Sequence, residues 1–147
     1  MRVQQLKTNS LDPSFIYLDW FPAAALRELH RYDESLASYA KAQSLMGEQP
    51  LHGYAITYAR MGRTKEAREI LTRLEAYARR HYVNPMFFAM IHASLGDKDR
   101  AFAALNRAAD DRTVLIGGLN VWPELAPLRA DPRFATLVKR VGLPARP

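Results

Sequence analysis

The chain has no cysteine, and this one absence removes disulfides, thiolate nucleophiles and thiolate-bound zinc together while fitting a reducing compartment. Stability must then come from packing. No run approaches the 18 apolar residues of a membrane helix. Residues 1–10 carry Arg2, Lys7 and polar side chains instead of a signal-peptide stretch, so the chain as given reads as cytoplasmic, neither secreted nor membrane-spanning. Also missing are the Gly-x-Ser-x-Gly elbow, the Gly-x-x-x-x-Gly-Lys phosphate loop and the Gly-x-Gly-x-x-Gly fingerprint. The histidines, His30, His52, His81 and His92, form no i, i+4 pair, so no preassembled helical metal site is expected. The acidic pairs Asp33/Glu34, Asp97/Asp99 and Asp110/Asp111 fall at predicted helix starts or loops, where carboxylates favour the helix dipole. Neither catalysis, a cofactor nor a metal is expected.

What the chain does have is a period. Tyr54, Ala55, Tyr58, Gly62, Ala67, Leu71 and Leu74 recur 34 residues later as Phe88, Ala89, His92, Gly96, Ala101, Leu105 and Ala108. That spacing suits one helix–turn–helix unit, with small residues where two helices cross and large apolar ones where units stack. Asn84-Pro85 and Asp131-Pro132 read as capped helix starts with proline in the first turn, and Asp97 follows a turn glycine. Between Thr64 and Arg80 the apolar positions 67, 70, 71, 74 and 78 follow helical spacing, leaving a charged outer face. Gly117-Gly118 and Trp122-Pro123 read as a loop before a last helix from about Asp131 to Val141.

The segments 51–74 and 88–108 resemble tetratricopeptide repeats, and 29–42 resembles the second half of a degenerate copy, with His30 at the turn glycine and Ser35 at the small crossing position. The resemblance implies an all-α, right-handed superhelix of antiparallel helix pairs forming one domain over 1–147. It is read as a remnant of a preceding repeat (1–15), repeats at 16–47, 48–81 and 82–113, and a loop with a C-terminal capping helix (114–147). On this register Pro13 ends an earlier unit and residues 1–12 are its last helix, so the chain begins in mid-repeat. The stretch 127–144 resembles the tail that follows such arrays in bacterial winged-helix regulators, nucleotide cyclases and kinases. A non-catalytic protein-binding scaffold or signalling module follows.

Family geometry carried onto this register puts Tyr17, Trp20, Ala24, Arg27, Gln49, His52, Ile56, Val83, Met86 and Met90 in a concave groove. Trp20, Ala24 and Ile56 stand where chaperone-binding relatives hold a carboxylate clamp, so an apolar peptide or helix is the expected ligand. Two or three buried anchors at about 2 kcal/mol each, offset by ordering, give roughly micromolar affinity. The competing reading is that the chain covers these residues itself, through the next repeat or the Trp122 segment.

The net charge of +6 is uneven: residues 1–50 hold five Lys/Arg against six Asp/Glu, 51–100 nine against five, and 101–147 seven against four. Arg60, Arg63, Lys65, Arg68, Arg73, Arg79 and Arg80 could form a nucleic-acid footprint. Interleaved Glu66, Glu69 and Glu75 favour helix-surface ion pairs instead. Self-association and a basic nucleic-acid surface stand as the alternatives to protein binding.

Overall fold

A computed structural model describes residues 14–144, with side chains from residue 21 onward. Pro13 and the remnant helix expected at 1–12 lie outside the described residues, as do the side chains of Tyr17 and Trp20. All regular structure among the described residues is helical, and no strand occurs there. The α-helices are α1 (Ser14–Glu28), α2 (Tyr32–Met46), α3 (His52–Arg60), α4 (Thr64–Ala78), α5 (Pro85–Ser94), α6 (Lys98–Asp110) and α7 (Pro132–Val141). Two 3-10 turns, Val114–Gly118 and Pro123–Leu128, join α6 to α7.

Side-chain caps start the later helices. Asn84 Oδ1 accepts from the Met86 amide at 3.0 Å with Pro85 at the first helical position. Asp97 accepts from the Arg100 amide at 3.2 Å, and Asp131 from the Arg133 amide at 3.0 Å. Each satisfies an amide that has no partner inside its helix. In α4 the buried positions are Ala67, Leu71 and Leu74, one stripe of the helix.

The same turn closes three helical hairpins. His30, Gly62 and Gly96 adopt left-handed φ values of 60°, 77° and 80°. After each, the next amide reaches back across the turn: Arg31 to the Leu26 carbonyl at 2.9 Å, Arg63 to Tyr58 at 2.8 Å, Asp97 to His92 at 2.9 Å. This is the bond pattern that ends a helix on a left-handed residue. Ala23, Ala55 and Ala89 on the first helices, and Ser35, Ala67 and Ala101 on the second, are all at 0% exposure. Ser35 fits because its hydroxyl donates to the Ala23 carbonyl at 2.6 Å.

The first interval differs from the second. Helix α4 begins 32 residues after α2, and α6 begins 34 after α4. One residue of the difference lies in the connecting loop (47–51 against 79–84) and one in the following helix, 9 residues in α3 against 10 in α5. A single fixed offset therefore aligns the later copies and slips on the first.

Backbone packing divides the chain into two units between Leu74 and Glu75, inside the span 48–81 read as one repeat. In the first unit α1 packs on α2, and α3 packs on both. Ala23, Tyr39, Ala42 and Leu51 form its core, with Met46 and Tyr54 against them. The Tyr39 ring lies directly over Gly53, leaving no room for a Cβ.

In the second unit α5 packs against α6 on one side and against the Pro123–Leu128 turn on another. The segment expected as a loop is thus part of the core: Leu119, Leu125 and Leu128 are fully buried. Short-range bonds hold it, among them Ile116 N to Thr113 O at 3.2 Å and Leu125 N to Trp122 O at 3.1 Å. The Trp122 indole lies against Gly118 and donates to the Leu115 carbonyl at 3.0 Å. Helix α7 is latched to α6 by Arg133, which meets Asp99 at 2.7 Å above the Phe102 ring, and by Arg140, which meets Asp110 and Asn106. Asp110 and Asp111 therefore sit at the C-terminal end of α6, not at a helix start, and Arg140 offsets the unfavourable dipole there.

Substituting Gly53→Ala is expected to destabilise the protein by about 1–3 kcal/mol, even though alanine is the better helix former. Tyr39 cannot move aside, because it is fully buried and its hydroxyl accepts from Arg27 Nη1 at 2.8 Å. A thermal melt followed by circular dichroism checks this; an unchanged or raised midpoint would refute the contact.

Candidate functional site

The positions assigned to a groove divide sharply by exposure. Ala24 and Gln49 are half-buried. Arg27 (1%), His52 (4%), Ile56 (0%), Val83 (7%), Met86 (0%) and Met90 (3%) are buried and offer a partner almost no surface. Gln49 and Val83 are not on the first helices at all: Gln49 lies in the 47–51 loop, where its carbonyl accepts from Gln43 Nε2 at 2.8 Å, and Val83 precedes the Asn84 cap. For Met86 and Met90 the reason is local. Seven of the ten residues of α5 are buried, because both α6 and the Pro123–Leu128 turn cover that helix.

The structure brings Arg27 and His52 together in the first unit. Besides its bond to Tyr39, Arg27 approaches Glu28 through Nε at 3.4 Å, and the other Glu28 oxygen meets Arg60 at 3.2 Å. Glu28 thereby links a buried cation to the surface, which keeps the buried charge tolerable. Burial, reinforced by the neighbouring Arg27 charge, pushes the His52 pKa down to about 3. His52 is therefore neutral near pH 7 and closed to solvent.

A surface site forms elsewhere. In the second unit a cleft of about 630 Å³ runs between the last turn of α4 with the residues that follow it, the start of α5 and the outer side of α6. Its volume is typical of ligand clefts. Arg79, Arg80 and Arg107 stand exposed around it, while Ala78, Phe88 and Ala104 supply apolar lining. His81 stacks on Tyr77 with ring centroids 4.3 Å apart. Tyr82 donates to an Asp111 carboxylate oxygen at 3.0 Å, and desolvation with that bond raises its pKa above the ordinary value. The hydroxyl stays protonated and acts as a donor.

Charge pairing along α4 departs from expectation. Of Glu66, Glu69 and Glu75, only Glu66 forms an ion pair among the described residues, with Arg63 at 3.0 Å. Arg60 reaches instead to Glu28 on α1. Among the described residues no carboxylate forms an ion pair with Arg68, Arg73, Arg79 or Arg80. The sequence singled out Arg79 and Arg80 as basic candidates but assigned Arg107 and Phe88 to no site, because only the packing of α5 on α6 brings them to the same cleft.

Among the described residues no three His, Asp or Glu side chains gather as a metal site, and no helix is long and apolar enough to cross a membrane. Comparison with known proteins gives no match: no family model, no curated protein and no solved structure.

Two outcomes test these assignments. His52 is neutral when folded but takes up a proton below about pH 6.5 when unfolded, so acid favours the unfolded chain. Between pH 7 and pH 5 this costs about 2 kcal/mol, at 1.36 kcal/mol per pH unit below 6.5. Urea unfolding of the native chain and a His52→Gln variant at both values should show that difference only in the native chain; equal slopes would refute it. Met86→Ala should lose about 2–4 kcal/mol of stability as a core truncation. A loss below about 0.5 kcal/mol would instead mark a surface residue.

Proposed function

We propose that this chain is a non-catalytic, protein-binding module built as a tetratricopeptide-type right-handed superhelix, with α7 and the preceding 3-10 turns capping its end. One observation carries the reading: a helix pair is written three times around the same left-handed turn, each time with small buried residues at the matching positions of its two helices. The packing of α3 on both helices of the hairpin before it agrees with a stacked array. So does the covering of α5 by the Pro123–Leu128 turn, since a terminal repeat needs something to seal its apolar face. A place in a bacterial signalling protein rests on the tail resemblance at 127–144.

The binding surface in this reading is solvent-facing and cationic and not the apolar groove, because Arg27, His52, Ile56, Val83, Met86 and Met90 of that groove are buried in the chain's own packing. Affinity capture with the intact chain, followed by titration of each captured protein in pure form, is the test. Reconstituted binding near 1–10 μM is the expected result. Failure of every captured protein to bind below about 100 μM would sink the proposal, and a mass that doubles with concentration in light scattering would replace it with self-association.

A further inference from the structure

We propose that the cleft around Arg79, Arg80 and Arg107 docks an acidic, extended segment of a partner protein that carries an apolar side chain between its carboxylates. This rests on the protein-binding reading above and specifies where and what the module binds.

The charge pattern is the first reason. In the same unit Arg100, Arg133 and Arg140 each have a carboxylate partner, Asp97 at 3.5 Å, Asp99 at 2.7 Å and Asp110. The three arginines of the cleft have none among the described residues. Some of that surplus is explained by position: Arg79 and Arg80 follow α4, and Arg107 lies in the last turn of α6, so each faces the negative end of a helix dipole. A dipole end is satisfied by one cation near each helix. It does not require both ends to face one depression with an apolar floor.

The floor is the second reason. Ala78 and Ala104 leave space where larger side chains would fill it, and Phe88 is half-buried beneath that space. A ligand made only of charged groups would leave this apolar surface in water. A carboxylate–apolar–carboxylate sequence uses rim and floor together, with the arginines giving bidentate contacts to the carboxylates.

The third reason separates peptide from nucleic acid. Glu75 lines the cleft, and Asp111 sits at its edge on Tyr82. A phosphodiester backbone presents acceptors only and is repelled by both, whereas a peptide brings amide donors that a carboxylate accepts. Three cations also make a short track for a nucleic acid, whose affinity grows with each phosphate neutralised. The residues involved, Val83 apart, are not those assigned to the concave groove, so the face is a separate one.

Fluorescence anisotropy of a labelled synthetic peptide, glutamates flanking a central leucine, tests the proposal on the full chain. The controls are its lysine counterpart and an oligothymidine of equal charge. The glutamate peptide is expected to bind in the range of about 10–100 μM at low salt and to weaken with added salt. The Arg79→Glu/Arg107→Glu double variant should weaken it at least tenfold, and Ala104→Leu, which fills the floor without changing charge, should weaken it several-fold. Arg79 and Arg107 are exposed and Ala104 is half-buried in the cleft floor, and unchanged circular dichroism melts keep the comparison valid. Should one fail to fold, the other and the salt dependence decide.

Binding unaffected by both substitutions, or tighter binding of oligothymidine than of the peptide, would overturn the proposal. So would a reconstituted natural partner that binds the double variant as well as the native chain, an outcome that leaves the protein-binding reading intact. Loss of all partner binding by the native chain would strike that broader reading instead.

Discussion

Two helices can cross closely only where neither carries a bulky side chain at the crossing, and this restriction organises the described chain. At the α1–α2 and α5–α6 crossings the residues are alanine, or a serine whose hydroxyl is absorbed by the opposing carbonyl, and buried alanines hold the matching positions of α3 and α4. A tight crossing in turn demands a short connection, and the short connection demands a left-handed residue to reverse the chain. Glycine supplies it twice; His30 supplies it once, at a cost of about 1 kcal/mol that a side chain with a Cβ incurs there. The Gly53–Tyr39 contact extends the same logic to the packing of α3 on α2. There glycine is needed for space and not for backbone freedom.

Burial in this molecule is decided by what comes next along the chain. A helical hairpin has one face it cannot cover alone. In the second unit the exposed side of α5 is closed by a segment of 3-10 turns containing two prolines, which could not have continued as an α-helix. That closure turns Met86 and Met90 from candidate ligands of a partner into core residues. It also accounts for the conversion of a Gly-Gly and Trp-Pro stretch, which looks like solvent-exposed loop, into a packed lid on α5 that buries its own Leu125 and Leu128.

The charges then sort by function of place. Caps at Asp97 and Asp131, and the α6–α7 pairs through Arg133 and Arg140, use charge to fasten one element to the next. Arg27 shows the opposite extreme, a cation enclosed with Tyr39 and His52 and connected outward through Glu28. His52 responds by remaining neutral, since a second charge beside Arg27 in a dry site would be too costly. Between these cases lies the basic cleft, whose arginines neither fasten an element nor sit enclosed.

Local chemistry was readable from the sequence alone: the all-helical character, the capped starts at Pro85, Lys98 and Pro132, the turns at Gly62 and Gly96, and the final helix to Val141. These depend on side chains acting within a few residues of themselves, which is information a linear string contains. The tertiary structure alone decided the burial of Met86 and Met90, the pairing of Arg60 with Glu28 on α1 in place of the glutamates of α4, and the meeting of Arg79, Arg80, Arg107 and Phe88. Each of those is a contact between residues far apart in the chain, and periodicity tells which face of a helix is apolar without telling what will cover it.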